Sequence, residues 1–154
     1  EIYMGDWSSD VCSSDLIVVA QRIGLVSLVV DDYDDALAFF VGKLGFSLVE
    51  DTVVPEQSKR WLVVAPAGAS ESRLLLAKAS NEEQRSRIGS QAGGRVFLFL
   101  YTDDFWRDYE RYKTNGIVFV REPKREPYGI VAVFQDLYGN SWDLLEPSDA
   151  NRSS

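Results

Sequence analysis

The passage from Val29 to Phe46 reads VVDDYDDALAFFVGKLGF, and its hydrophobic pattern changes from that of a strand to that of a helix. The apolar run Ile23–Val30 that leads into it predicts a buried strand. Residues 31–34 offer N-cap side chains, and the apolar residues that follow at helical spacing predict a helix with one buried face. Gly45 predicts the end of that helix, because glycine readily adopts the left-handed conformation of a C-cap.

Working outward, the sequence predicts three further strands at Phe46–Glu50, Trp61–Ala65 and Leu74–Ala77. A capping box with Ser80 as the N-cap then predicts a short helix. The glycines at 89, 93 and 94 predict a flexible joint.

The same order of elements then restarts. The helix entry at residues 31–33, Asp-Asp-Tyr, recurs at residues 103–105 as Asp-Asp-Phe. Such internal repetition indicates two copies of one supersecondary unit, each too small to bury its own sheet face. The elements predicted for the second copy are a strand at Arg95–Tyr101, a helix after residues 102–104, and strands at Val118–Arg121, Ile130–Gln135 and Ser141–Glu146, with a charged loop at Pro123–Pro127.

Composition excludes several classes of function. The 154 residues carry 16 Lys plus Arg and 24 Asp plus Glu, a net charge of −8, which argues against binding to nucleic acid or to an anionic membrane. The sequence contains no histidine, so triads that use an imidazole base and metal sites with His ligands are excluded. One cysteine forms neither an internal disulfide nor a zinc cluster.

The first 16 residues differ in character from the rest. They contain no Lys or Arg, so they do not form a signal peptide, and Asp6–Leu16, DWSSDVCSSDL, resembles the translation of a sequencing adaptor. We therefore expect residues 1–16 to be a disordered artefact, residues 22–147 to form a single domain, and residues 148–154 to be a polar tail. The single cysteine lies in the adaptor-like segment, and a domain without thiols suits the cytoplasm.

The tandem β-α-β-β-β order resembles the vicinal oxygen chelate superfamily, which includes glyoxalase I, bleomycin-resistance proteins, extradiol dioxygenases and fosfomycin-resistance enzymes. The resemblance is carried by Val29–Phe46, by its counterpart Phe99–Val120 (FLYTDDFWRDYERYKTNGIVFV), and by Asp136–Pro147 (DLYGNSWDLLEP). It implies an α+β fold in which two tandem units, about 22–80 and 94–147, form curled mixed sheets around a cavity. It also implies a bacterial homodimer.

In that family the metal ligands come from the first and last strands of each unit. These positions correspond here to Leu25, Leu74, Phe97 and Asp143, of which three are apolar. One carboxylate does not hold a divalent ion, and the family's chemistry requires a metal that polarises the substrate's oxygens. The resemblance therefore implies a member without a metal cofactor that binds a small organic ligand, as bleomycin-resistance proteins do.

Strand alternation groups the candidate site residues. An aromatic stripe on the first strand of unit two suits a flat, apolar ligand, although ordinary core packing explains it equally well. Trp142 is expected to point away from Asp143, toward a helix. The candidate ligand-binding residues are Leu25, Ser27, Trp61, Phe97, Phe99, Tyr101 and Asp143.

Two other functions stay open. One is a lyase, isomerase or dioxygenase related to glyoxalase, with an unorthodox site around Asp143 and Tyr101. The other is a protein-interaction module whose cavity is filled by the aromatic stripe.

Three arginines, Arg60, Arg121 and Arg125, suit an anionic ligand, but the alternating charges of residues 121–126 favour a solvated loop.

Overall fold

The structure is a computed structural model that describes residues 20–69 and 71–149. The adaptor-like segment 1–16 and most of the polar tail lie outside the described residues. The fold is α+β, with two open four-stranded sheets of mixed strand direction. Among the described residues, no helix is both long and apolar enough to cross a bilayer.

Unit one forms the first sheet, called sheet one, with strand order β1-β4-β3-β2. Strands β1 and β4 are parallel, and the other neighbours are antiparallel. The elements are β1 (Val26–Val30), α1 (Tyr33–Leu37, continued by a π-helical turn Ala38–Lys43), β2 (Ser47–Val54), β3 (Lys59–Ala65), β4 (Leu74–Lys78) and α2 (Glu82–Arg87).

Unit two forms sheet two, with the equivalent order β5-β8-β7-β6 and a parallel β5–β8 pair. Its elements are β5 (Val96–Tyr101), α3 (Phe105–Thr114), β6 (Phe119–Glu126), β7 (Gly129–Gln135) and β8 (Ser141–Pro147). The predicted fold of two βαβββ units with mixed sheets is confirmed.

The paired aspartates of the repeat serve as helix caps in both units. The Asp32 side chain accepts a hydrogen bond from the backbone N–H of Asp35, and Asp104 accepts one from the N–H of Arg107. Each bond satisfies a donor that the first helical turn would otherwise leave free. The predicted cap of α2 is wrong by one residue, because Asn81 rather than Ser80 accepts from the third helical position.

The prediction of a charged loop at residues 123–127 is also wrong. Strand β6 continues through Glu126, and Arg125 pairs with Ile130 of β7. Because β6 is an edge strand of sheet two, its charged side chains remain in solvent while its backbone pairs on one side. Alternating charge is therefore compatible with an edge strand here.

One hydrophobic core joins the two units. Trp142 of β8 is buried, and its indole lies 5.9 Å from the ring of Phe40 and 6.1 Å from the ring of Phe46, both in unit one. On its other side the indole stacks on Phe134 of β7 at 5.7 Å. The expectation that Trp142 points toward the helices is confirmed.

A buried carboxylate holds this tryptophan in place. Asp136, 6 % exposed, accepts two backbone hydrogen bonds at one oxygen, from Tyr138 and Asn140. Its other oxygen accepts the side-chain amide of Asn140 at 3.0 Å and the indole N–H of Trp142 at 3.1 Å. Four donors converge on one side chain, so the β7–β8 turn and the indole are fixed together.

The same turn also contacts unit one and the joint between the units. The Asn140 side chain accepts from the backbone N–H of Gln91, at 3.0 Å. The Tyr138 hydroxyl lies 3.4 Å from both the backbone nitrogen and the oxygen of Asp32. Gly89 has a positive φ of 81°, and a Cβ there would lie 2.2 Å from the Tyr138 carbonyl oxygen. Only glycine fits such a close approach.

Replacing Asp136 with Asn tests this network. In the asparagine variant an NH₂ group replaces one of the two oxygens, and this group is a donor that faces two other donors. We therefore expect the free energy of unfolding in urea to fall by about 2–3 kcal/mol. The control is Glu122→Gln, an exposed change on β6, which should alter the free energy by less than about 0.5 kcal/mol. Equal stability of the two variants would show that the network is dispensable.

Candidate ligand groove

The face of sheet two opposite α3 carries exposed aromatic side chains. On β5 the leucines 98 and 100 pack against the core, whereas Phe99 and Tyr101 alternate with them and are 59 % and 63 % exposed. On β8 the same alternation buries Trp142 and turns Asp143 to the open face. Phe99 pairs with Asp143, so the ring and the carboxyl are neighbours on one wall.

A groove of about 590 Å³ lies on this face. Asp143 sits between Phe99 and Val133 in the pairing of β5, β8 and β7, so it belongs to the same wall. The groove combines apolar side chains with two guanidinium groups. Its lining residues are Gly94, Arg95, Val96, Phe99, Val120, Arg121, Val133 and Ser141.

A bulge in β5 changes the predicted aromatic stripe. The pairing with β8 shifts between Val96 and Leu98, so Val96 lies opposite Ser141 on the open face. Phe97 turns instead toward the core, where its ring lies 6.5 Å from Trp142. The prediction that Phe97 shares a face with Phe99 is therefore wrong, and Val96 occupies that place in the groove.

A second bulge, in β6, shapes the opposite side of the groove. The pairing with β7 shifts between Phe119 and Arg121. Phe119 packs on Phe134 in the core at 5.8 Å, while Val120 and Arg121 reach the groove. The sequence predicts a strand that ends at Arg121, but the alternating charges that follow favour solvent for this arginine, and Val120 was not a candidate. Alternation alone gave no signal for either residue, because the bulge interrupts it.

The candidate residues of unit one lie on the other sheet. Ser27 pairs with Leu75, and Trp61 lies on β3 of the same sheet, so these side chains do not line the groove described above. Leu25 precedes β1 and is partly exposed. Leu74, assigned to the last-strand ligand position of unit one, is buried in the core, and its neighbour Leu75 lies beside Ser27 on the other face of sheet one.

Tyr101 opens onto a different cavity. That cavity, of about 420 Å³, lies between β5, α3 and the turn after β3, and its lining includes Arg107 and Asp108. Tyr101 pairs with Leu145, two residues beyond Asp143 on β8. The structure therefore does not bring the two predicted catalytic candidates, Asp143 and Tyr101, into one cavity.

The charges of the groove are unevenly paired. Burial raises the pKa of Asp143, and the positive charge of Arg121 opposes that rise. Neither Arg95 nor Arg121 makes an ion pair or side-chain hydrogen bond with any residue in 20–69 or 71–149. Both arginines line the groove, so as far as residues 20–69 and 71–149 are concerned their side-chain donors remain available to a ligand.

The donor set does not fit a divalent metal. The paired positions on the open faces are Ser27 with Leu75 and Phe99 with Asp143, and one of these four side chains is a carboxylate. In the described part of the chain, no cluster of three or more His, Cys, Asp or Glu side chains could hold a metal ion. A single monodentate or bidentate carboxylate leaves most of the coordination shell to water.

Comparison with known proteins identifies the family. The sequence profile of the Glyoxalase/Bleomycin resistance protein/Dioxygenase superfamily matches residues 22–144. The chain belongs to this superfamily. A protein of Shewanella frigidimarina is 60 % identical over 129 residues, which cover 84 % of this chain and 96 % of the relative.

Two solved structures are also similar. UcmS2 is 32 % identical and superposes with a TM-score of 0.72. The match covers 82 % of this chain and 98 % of UcmS2. TnmS3, described as an antibiotic-binding protein of a Streptomyces species, is 32 % identical with a TM-score of 0.68, covering 86 % of this chain and all of that one. The Shewanella protein and TnmS3 both come from bacteria.

The pKa of Asp143 predicts a dependence of stability on pH. Because the folded state binds this proton more tightly than the unfolded state, folding loses free energy as pH rises from the ordinary Asp value, near 4, through the raised value. Asp143→Asn removes that loss. We therefore expect the variant's Tm to match the wild type at about pH 3 and to exceed it at about pH 7.

The control for this experiment is again Glu122→Gln. This side chain is exposed on the same sheet, so a gain in Tm with rising pH should be specific to Asp143→Asn. If the Tm advantage of Asp143→Asn over the wild type shrank with rising pH, the attraction of Arg121 would outweigh burial in setting the pKa of Asp143.

Proposed function

We propose that the protein binds a small, flat organic molecule in the groove of sheet two, without a metal ion. The observation that carries this proposal is the exposed ring of Phe99 on a rigid strand, flanked in the groove by Val96, Val120 and Val133. Exposed apolar side chains that converge on one concavity are typical of ligand sites. The description of TnmS3 as antibiotic-binding supports the same kind of ligand.

The physical argument is one of surface burial. A ligand seated on Phe99 removes aromatic surface from water on both partners, which contributes about 25 cal/mol per Å². Stacking adds about 0.5–1.5 kcal/mol for a well-placed ring pair. The open groove supports this function over an interaction module with a filled cavity.

We also propose that the binding form is a cytoplasmic homodimer. The groove is open on one side, and the other predicted ligand-binding side chains, Leu25, Ser27 and Trp61, lie on or beside sheet one. A second copy that laid its sheet one over the groove would bring both sets together. The absence of cysteine from residues 17–154 supports a reducing compartment.

A second candidate is a metal-independent lyase or isomerase. The raised pKa of Asp143, beside Arg121 and facing an open groove, suits a general base. Turnover that Asp143→Asn abolishes would support this candidate. Binding that survives in the same variant without turnover supports the binder.

The binding proposal predicts the behaviour of N-phenyl-1-naphthylamine, a neutral aromatic dye whose fluorescence rises in apolar surroundings. We expect saturable binding to the full chain, weakened about tenfold by Phe99→Ala through loss of the stacking surface. Trp106→Ala is the matched control, because this half-exposed ring lies on α3, away from the groove. Equal effects of the two variants would place the dye elsewhere.

The dimer proposal predicts a mass in solution of twice the 17.3 kDa chain, measured by light scattering after gel filtration. Phe99→Glu should shift the equilibrium toward the monomer, because it buries a charge at the covered face. Glu110→Gln, an exposed change on α3, is the control. A wild-type protein that stays monomeric at micromolar concentrations contradicts the dimer.

A further inference from the structure

We propose that the groove of sheet two selects aromatic ligands that carry an anionic group, and that Arg121 and Arg95 bind this group. This inference rests on the proposed function, because it specifies the chemistry of a ligand that the groove must first bind. It concerns charge, whereas the binding proposal concerns apolar contact.

The two guanidinium groups reach the same groove from different strands. Arg95 immediately precedes β5, and Arg121 follows the bulge of β6 and pairs with Val133. Phe99 and Val120 line the groove with them. The arrangement combines an apolar wall for a ring with guanidinium donors for the ring's substituent.

Within the residues that the structure describes, neither arginine is held in an ion pair or a side-chain hydrogen bond. The contrast is Arg60 of β3, which binds Asp51 at 2.8 Å and Asp34 at 3.0 Å. Arg107 of α3 is likewise engaged, by Asp103 and Asp108. The groove arginines thus retain donors that match the oxygens of a carboxylate, a sulfonate or a phenolate.

The sign of the groove is opposite to that of the whole protein. The chain carries a net charge of −8, yet among the described residues the groove wall places Arg95 and Arg121 against one carboxyl, that of Asp143. Counted over those residues, the wall is net positive even when Asp143 is ionised. Burial further disfavours the charged form of Asp143, which strengthens the preference for an anion over a cation.

Two dyes with one ring system separate charge from apolar contact. The dye 8-anilinonaphthalene-1-sulfonate carries the anilinonaphthalene rings of N-phenyl-1-naphthylamine and adds a sulfonate. We expect the full chain to bind the sulfonate dye more tightly than the neutral one in fluorescence titrations. Arg121→Gln should weaken the sulfonate dye about tenfold and leave the affinity of the neutral dye unchanged.

The matched control is Arg125→Gln. This arginine lies on the same strand but pairs with Ile130, which packs toward the core, so its side chain does not line the groove. Arg125→Gln removes the same charge as Arg121→Gln and should leave the affinities of both dyes unchanged. Arg95→Gln provides a second groove variant, for which we expect the same selective loss as for Arg121→Gln.

The outcomes distinguish this inference from the proposed function. If both dyes bind and Phe99→Ala weakens both, but neither groove arginine discriminates between them, the groove binds rings without selecting anions. If Arg121→Gln and Arg125→Gln weakened binding of the sulfonate dye equally, the loss would come from the overall charge of the protein. That result would also overturn the inference. Failure of both dyes to bind, or indifference of both to Phe99→Ala, instead refutes the binding proposal.

Discussion

The carboxylate of Asp136 is the polar interaction on which the arrangement of sheet two depends. It is buried, and four donors from the β7–β8 turn and from Trp142 satisfy its two oxygens. A buried polar group of this kind is tolerated only when its hydrogen bonds are complete. Through Trp142 the network positions the aromatic rings of both units, and through strand alternation it directs Asp143 to the open face.

The groove owes its composition to interruptions of regular pairing. In β5 a bulge turns Phe97 inward and leaves Val96 on the open face. In β6 a bulge after Phe119 brings both Val120 and Arg121 to the groove. Val96 and Arg121 reach the groove in this way, so backbone irregularity helps to decide which chemistry the ligand meets.

The fold could be predicted because its signals are local. The caps at Asp32 and Asp104, the helical spacing that follows each, and the repeat itself are all visible in the sequence. The placement of Phe99 on the open face followed from alternation, since no bulge separates it from Asp143. The face of Phe97 could not be predicted, because the bulge beside it depends on pairing with a strand more than 40 residues away.

The charged edge of sheet two illustrates the same limit. Residues 121–126 carry the composition of a loop, and only their pairing with β7 makes them a strand. Whether a charged segment is paired is a property of the sheet and not of the segment. For that reason the sequence favours solvent over a groove for Arg121, although it also marks this arginine as suited to an anionic ligand.

The shared core has a consequence for the sequences of the two units. Unit one does not complete the burial of its own rings, because Phe40 and Phe46 pack on the indole of Trp142 in unit two. A protein made of two identical units would carry identical residues on both sheets. Because both units lie in one chain, corresponding places can differ, as Leu75 and Asp143 do. The asymmetry that gives one groove its charge is open only to a chain whose halves differ in sequence.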